Sequence, residues 1–216
     1  MKTRESSSDP GPRPDGGPPI CAIGASAGGV EALQGLFDSL PTDLGFAYVV
    51  VVHLAVDHPS HLPEVLAQRT AMPVQGVHAT TVLEADHIYT NVPGHGLFLV
   101  DGAVTSRPFA ADGPRWTPID GFLHSVAAGP AGDAVVLILS GAGRDGTLGA
   151  RAVKAAGGLV LVQDPAEAAY APMPESVRGA GVADVVAPVA ELIGRLAALA
   201  RERGEPPPPA AAADLG

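Results

Sequence analysis

The sequence predicts a three-layer α/β domain in which helices cover both faces of a doubly wound, mostly parallel (Rossmann-like) sheet. Short apolar runs alternate with amphipathic stretches along most of the chain, and such alternation is typical of parallel strands joined by right-handed helical crossovers. Hydrophobic residues make up 46% of the 216 residues and aromatic residues only 4%. Small branched side chains therefore dominate the core, as suits a buried parallel sheet.

We expect one domain, residues 20–202, between two tails. Residues 1–19 are rich in Ser, Pro, Gly and Asp, and residues 203–216 are rich in Pro and Ala. Neither segment carries enough large apolar side chains to offset the entropy of ordering, so both are predicted to be disordered.

The first half of the domain begins with a short apolar strand at Ile20–Ile23. A helix is predicted at Val30–Leu40, because apolar residues recur on one face, and Pro41 ends it. The next strand, Ala47–His53, is a continuous apolar run rich in valine and is expected to be buried on both faces. A helix follows at Leu62–Arg69.

The pattern changes in the middle of the chain, where short strands are separated by Gly, Asp and Pro. These strands are Val74–Val77, Asp86–Thr90, Gly96–Val100 and Ala103–Ser106. The Asp-Gly pair between the last two indicates a hairpin turn. We therefore expect this segment to add an antiparallel β-hairpin at one edge of the sheet.

Helices and strands alternate again from residue 119 onward. Apolar runs predict the strands, and the amphipathic stretches between them predict the helices. The strands are Ala134–Leu139, Leu159–Gln163 and Asp184–Ala187, and the helices are Ile119–Ala128, Thr147–Ala156, Pro174–Gly179 and Val189–Glu202.

The segment Gly24–Gly29 (GASAGG) joins the first strand to the first helix and presents one hydroxyl, Ser26. A sharp glycine turn that exposes a serine between a strand and a helix is a nucleophile elbow. The positive end of the helix would face an anion formed at that serine. A phosphate-binding loop is the alternative, although the spacing is not Gly-x-Gly-x-x-Gly and no ribose-binding acid ends the second strand.

Two other strands end in residues that would complete a nucleophilic site. His53 closes the second strand and could act as a general base, the alternative being a buried core histidine. Asp145 lies in a glycine-rich loop after a later strand and could orient the histidine, or it could cap the following helix. Asp164 is a rival carboxylate. Because the carboxyl ends of parallel strands share one edge, Ser26, His53 and Asp145 are expected to meet.

Charge and composition exclude several functions. The net charge is -10 and basic residues do not cluster, which argues against nucleic-acid binding. The longest apolar run is too short to cross a bilayer, and the N-terminus lacks the apolar segment of a signal peptide. Cys21 is the single cysteine, and the histidines lack the partners of a metal site. We expect a cytoplasmic protein without cofactor or metal.

Several motifs stand in a characteristic order along the chain: Ile23–Gly29, the strand ending at His53, Ser140–Gly146, Gly157–Gly158, Val162–Pro165 and Tyr170–Pro174. Together they resemble the catalytic domain of the chemotaxis protein-glutamate methylesterase (CheB) family, over residues 20–199. The resemblance implies a catalytic triad in which Ser26 is the nucleophile, His53 the general base and Asp145 the orienting carboxylate.

The resemblance also implies a reaction and a partner. Such enzymes hydrolyse γ-methyl esters of glutamate on chemoreceptor-like proteins, and some deamidate glutamine. Since no receiver domain precedes residue 20, we expect a standalone form. We also expect a monomer, because nothing in the sequence indicates an obligate dimer. A catalytically weak binding module of the same fold is the alternative. Predicted substrate or oxyanion contacts are Ala27, Ala142 (where the family often has Met), Gly143, Arg144 (where a small polar residue is common) and Met173.

Overall fold

The computed structural model describes residues 17–55, 58–109, 117–129 and 131–204. Within these ranges a seven-stranded parallel sheet forms the centre of the domain, and a three-stranded antiparallel sheet accompanies it. Of the predicted tails, residues 1–19 and 203–216, all but residues 17–19 and 203–204 lie outside the described residues.

Every predicted helix and strand is present with nearly the predicted extent, and the short strand Thr81–Val82 was not predicted. In chain order they are β1 (Ile20–Ala25), α1 (Gly29–Ser39), β2 (Ala47–Val52), α2 (Leu62–Ala67), β3 (Val74–Gly76), β4 (Thr81–Val82), β5 (His87–Thr90), β6 (His95–Val100), β7 (Ala103–Pro108), α3 (Pro118–Ala128), β8 (Val135–Ile138), α4 (Thr147–Ala155), β9 (Leu159–Gln163), α5 (Pro172–Gly179), β10 (Val185–Ala187) and α6 (Val189–Gly204).

The central sheet has the strand order β10-β9-β8-β1-β2-β5-β3. The chain builds outward from β1 in one direction through β2 and in the other through β8, so the strand order reverses at the centre. Ligands of doubly wound sheets bind at such a reversal, beyond the carboxyl ends of the strands. The three strands that precede the candidate site residues are therefore adjacent: β8, β1 and β2.

Different helices cover the two faces of the central sheet. Side chains of α1, α2 and α6, among them Leu33, Leu66 and Leu196, are buried on one face. Side chains of α3, α4 and α5, among them Phe122 and Val153, are buried on the other. This arrangement confirms the predicted three-layer fold, and the continuous apolar run of β2 is buried on both faces as expected.

The β-rich middle segment divides between the two sheets. Strands β3 and β5 join the central sheet in parallel, whereas the predicted hairpin, β6 and β7, pairs with β4 in the separate sheet. The hairpin buries Leu97 and Val104 in the cluster that holds Phe122 and Val126 of α3. Its apolar side chains thus cover a helix, so the hairpin does not extend the edge of the central sheet.

The last helix runs to Gly204, two residues beyond the predicted end of the domain. Arg203 explains the extension, because its guanidinium lies 4.9 Å from the centre of the Phe46 ring and donates to the Asp133 carbonyl. Cys21 on β1 is fully buried, and burial raises the pKa of its thiol to about 12. None of the described helices is both long enough and apolar enough to cross a membrane.

Candidate active site

The structure brings the three predicted catalytic residues together at the carboxyl edge of the central sheet. Ser26 Oγ lies 2.9 Å from His53 Nδ1, and His53 Nε2 lies 2.8 Å from Asp145 Oδ2. The histidine side chain is 33% exposed and the aspartate side chain only 6%. The hydroxyl and the imidazole are therefore within reach of a ligand, while the carboxylate is sheltered behind them.

The two ring nitrogens of His53 have distinct roles. A carboxylate only accepts hydrogen bonds, so Nε2 carries the proton and donates it to Asp145. This leaves the lone pair of Nδ1 facing the Ser26 hydroxyl. In the serine-protease template the same roles belong to the opposite nitrogens. The imidazole here is turned around, yet it presents a basic nitrogen to serine and a donor to aspartate.

The turn that carries Ser26 needs glycine where other chains approach it. Gly28 has a φ of 65°, and a Cβ there would lie 2.7 Å from the Ala169 Cβ. A Cβ at Gly141 would lie 3.0 Å from the Ser26 Cβ and 2.6 Å from the Met173 Cε. Two loops therefore pack so closely around the serine that no side chain fits between them.

A chain of buried and part-buried hydrogen bonds fixes this turn. The Ser140 hydroxyl donates to the Ala27 carbonyl at 2.9 Å and accepts from the Tyr170 N–H at 3.0 Å. The Ser140 N–H donates to the Gln163 amide oxygen at 2.8 Å, and the Gln163 amide nitrogen donates to Glu167. Because every member has a partner, the network makes the position of the serine turn rigid.

The Asp145 carboxylate lies at the start of α3. Its Oδ2 accepts the Ile119 N–H at 3.1 Å, and its Oδ1 accepts the N–H groups of Asp120 and Gly146, each at 2.8 Å. Hydrogen bonds from a helix N-terminus stabilise the charged form of a carboxylate. The alternative, that Asp145 serves α4 alone as its cap, is wrong: two of its three backbone donors belong to α3.

Asp120 makes the reciprocal contact. This buried carboxylate on α3 accepts the N–H of Gly149, in the first turn of α4, at 2.7 Å. Burial raises the pKa of Asp120, the hydrogen bond from Gly149 opposes the rise, and the nearby charge of Asp145 adds to it. The two helices are therefore tied together by two acids, one of which orients the histidine.

Asn91 holds the backbone next to the histidine. Its side-chain amide accepts the N–H of Val52 and donates to the carbonyl of Val52, both at 2.9 Å, and it is only 3% exposed. Val52 is the last residue of β2 and directly precedes His53. The amide thus extends the pairing of β5 with β2 beyond Thr90 and fixes the direction in which His53 leaves the sheet.

The sequence interpretation missed the supporting residues Asn91, Asp120, Ser140 and Gln163. Three of them share the signal that identified His53, a polar side chain at or just after the carboxyl end of an apolar strand. Asp120 carries no such signal, because it lies inside an amphipathic helix. The rival carboxylate Asp164 accepts the N–H of Ala166 in a local turn.

The predicted substrate contacts differ in their exposure. Ala142, Gly143 and Arg144 are exposed and line a cleft of about 660 Å³ beside His53. The backbone N–H groups of Ala27, Ala142 and Gly143 have no acceptor among the described residues. Met173 is fully buried against Gly141. Its side chain packs against this loop, and its predicted contact with substrate stays a prediction.

A doubly wound sheet with serine, histidine and aspartate hydrogen-bonded in series has the layout of a serine hydrolase. The family model described as CheB methylesterase matches residues 21–196. The chain belongs to the CheB methylesterase family.

Relatives and a solved structure agree with this assignment. A protein-glutamate methylesterase/protein-glutamine glutaminase 3 from Burkholderia orbicola is 37% identical over 89% of this chain and 59% of its own length. Protein-glutamate methylesterase/protein-glutamine glutaminase 2 from Burkholderia lata is 35% identical over 87% of this chain and 56% of its own length. The crystal structure of the Thermotoga maritima CheB methylesterase catalytic domain matches with a TM-score of 0.76 and 28% identity, over 85% of this chain and 98% of that one. The chain thus spans less than two thirds of these curated relatives.

Proposed function

We propose that this chain is a protein-glutamate methylesterase, which hydrolyses γ-methyl esters of glutamate side chains in chemoreceptors or related signalling proteins. The observation that carries the proposal is the series of hydrogen bonds from Ser26 through His53 to Asp145. Membership of the CheB methylesterase family and the names of the relatives support the choice of substrate.

In the first half of the reaction, Ser26 Oγ attacks the ester carbonyl carbon while its proton passes to His53 Nδ1. The tetrahedral intermediate then collapses, the bond to the methoxy oxygen breaks, and His53 returns the proton to that oxygen. Methanol leaves, and the glutamyl group stays on the serine as an ester. Asp145 stabilises the imidazolium throughout, because its carboxylate accepts from Nε2.

In the second half, a water molecule replaces methanol. His53 Nδ1 takes one of its protons as the oxygen attacks the acyl carbon, and the proton then goes to Ser26 Oγ as the acyl bond breaks. The products are the free serine and a glutamic acid side chain, which ionises. The overall reaction consumes one water and releases one methanol.

The negative charge of both tetrahedral intermediates needs hydrogen-bond donors near Ser26. The Ala27 N–H is the expected donor, because in a nucleophile elbow the residue after the nucleophile supplies one. The N–H groups of Ala142 and Gly143 are candidates for the second donor, since both have no acceptor among the described residues and both residues line the cleft. Residues 20–202 are proposed as the catalytic unit.

The same site is suited to a second reaction, glutamine deamidation. Two relatives carry protein-glutamine glutaminase in their names. Deamidation passes through the same acyl-enzyme, with ammonia leaving in place of methanol after protonation by His53. A cytoplasmic, monomeric protein is part of the proposal. The support for a monomer is that few large apolar side chains are exposed within the described ranges.

The direct test is methanol release from membranes that carry methylated chemoreceptors. The wild-type chain is compared with Ser26→Ala and with Ser39→Ala, a matched change at an exposed serine at the end of α1. Release by the wild type and by Ser39→Ala, but not by Ser26→Ala, is the expected result. Labelling of Ser26 by a fluorophosphonate without methanol release would mean an active triad with another substrate. The absence of both would favour the binding module.

A further inference from the structure

Two arginines line the cleft beside the triad. Arg144 precedes α4 and Arg151 lies in its second turn, and both line the cavity of about 660 Å³ that contains His53. Both side chains are exposed. Neither guanidinium has a carboxylate or a hydrogen-bond acceptor among the residues that the structure describes. The basic side chain three residues further along the helix, Lys154, is by contrast paired with Asp184.

The charge of the cleft is opposite to that of the whole molecule. The chain has 23 acidic and 13 basic residues and a net charge of -10. Asp145 is the acidic residue among those that line the cleft, and its buried carboxylate is already bound by His53 and three backbone N–H groups. The exposed charges of the lining are therefore those of the arginines, and a local positive field attracts and orients acidic ligands.

An apolar side chain lies between the arginines in the sequence. Leu148 is 58% exposed and lines the same cleft. It is three residues before Arg151, so the two side chains share one face of α4. The cleft thus combines two cations with one apolar contact, next to the atoms that would bind the ester.

We propose, on the basis of the proposed function, that Arg144 and Arg151 select substrates in which carboxylates flank the esterified glutamate. Guanidinium groups bind carboxylates through paired hydrogen bonds. The partner is an acidic peptide segment of the methylated protein, with an apolar residue that contacts Leu148. The methyl ester itself is neutral, so the charges of its neighbours determine how strongly the segment is attracted.

The test uses two synthetic peptides, each with one glutamate γ-methyl ester. One has glutamates on both sides of the ester, and the other has glutamines at the same positions. Methanol release gives kcat/KM for each peptide with the wild type, with Arg144→Gln/Arg151→Gln, and with Arg201→Gln as a matched control on α6, on the opposite face of the sheet. Every combination of protein and peptide is measured at low and at high salt.

We expect the wild type and Arg201→Gln to prefer the acidic peptide, and the double variant to lose about fivefold of that preference, mainly through KM. The preference of the wild type should shrink at high salt, since exposed charges are screened. Equal rates on both peptides, or a preference that survives in the double variant, would overturn the proposal.

Failure of the proposed function is distinguished by measuring binding without turnover. Fluorescence anisotropy gives the Kd of both labelled peptides for Ser26→Ala, with and without the two arginine substitutions. Tighter binding of the acidic peptide that depends on the arginines supports the selection even where no methanol is released. Equal binding of the two peptides to Ser26→Ala overturns it, whatever the esterase assay shows.

Discussion

The two halves of the candidate site are built by different physical means. On the serine side, close packing of the backbone positions the hydroxyl, and glycine is needed where loops approach within about van der Waals distance of Ser26. On the aspartate side, the start of a helix positions the carboxylate through three N–H donors. Steric packing thus positions the nucleophile Ser26, whereas charge and hydrogen bonds position the carboxylate of Asp145.

This difference makes the two halves sensitive to different substitutions. A larger side chain should damage the serine side, because the space is occupied, while a loss of charge should damage the aspartate side, because its donors need an acceptor. His53 lies between the halves, and the amide of Asn91 fixes the strand that delivers it.

The largest effect is expected from Asp145→Asn. The variant has nearly the same size but only one acceptor oxygen. Its NH2 group would face two backbone N–H groups in place of Oδ1, or His53 and the Ile119 N–H in place of Oδ2. A side-chain NH2 facing Nε2 would move the imidazole proton to Nδ1 and leave Ser26 without a base. We expect kcat to fall by about 10⁴-fold and the free energy of unfolding to fall by about 1–3 kcal/mol.

The rates of methanol release and urea denaturation check this prediction. Asp164→Asn is the matched control, since its carboxylate accepts an N–H only within a local turn. The charge argument for the aspartate side fails if Asp145→Asn keeps more than a tenth of the wild-type rate.

A loss of roughly 100-fold is expected from Gly141→Ala on the serine side. The new methyl group would lie 2.6 Å from the Met173 Cε and 3.0 Å from the Ser26 Cβ, and such overpacking costs about 1–3 kcal/mol. The serine would be pushed away from His53 Nδ1, so we expect kcat and fluorophosphonate labelling to decrease together.

The control for the glycine change is Gly35→Ala, where a Cβ on α1 would meet nothing within 4 Å. This change should leave activity intact and stabilise the helix by about 0.5–1 kcal/mol. Normal labelling of Ser26 in Gly141→Ala would show that the serine side tolerates a larger side chain, contrary to the shape argument.

Asn91→Ala tests the connection between the halves, with a smaller expected effect on rate. Both polar groups of the Val52 backbone would lose their partner in a buried place, which should lower the free energy of unfolding by about 2–4 kcal/mol. We expect kcat to fall about tenfold, because the backbone before His53 gains freedom.

Thr90→Val is the control for Asn91→Ala, since the buried Thr90 hydroxyl has no hydrogen-bond partner in the described structure. Loss of stability with unchanged kcat would limit Asn91 to a structural role.

The sequence predicted the layers and the triad because both follow from local patterns. Buried parallel strands appear as apolar runs, and Ser26, His53 and Asp145 each follow such a run in the printed sequence. In the folded sheet, the strand order places the carboxyl ends of these three strands side by side. The β-α-β pattern indicated that β2 lies beside β1, whereas the position of β8 on the other side of β1 comes from the structure.

Contacts between distant parts of the chain could not be predicted in this way. The hairpin β6–β7 was expected at a sheet edge, but packing against α3 places it in a separate sheet. Asp145 was considered as a cap for the helix that follows it, whereas its donors at Ile119 and Asp120 lie about 25 residues away. Sequence spacing says nothing about which helix start a loop carboxylate will meet.

The smallest effect concerns the second acid on the aspartate side. Burial raises the pKa of Asp120 above its ordinary value of 3.8, so the folded state binds its proton more tightly than the unfolded state. Its contribution to stability is therefore fully present below pH 3.8 and is lost as the pH rises through the raised value. Asp120→Asn keeps an acceptor for the Gly149 N–H without the charge. The free energy of unfolding of the wild type, minus that of Asp120→Asn, should decrease as the pH rises from 4 toward 7.

Urea denaturation of both proteins across this range measures the difference. Asp120→Ala separates the two contributions, because it removes the acceptor as well as the charge and should be less stable than Asp120→Asn at every pH. A constant difference between wild type and Asp120→Asn would mean that the charge next to Asp145 is fully stabilised in the fold. A difference that increases with pH would mean that Asp120 strengthens the helix contact as an anion, and that charge holds the aspartate side through both acids.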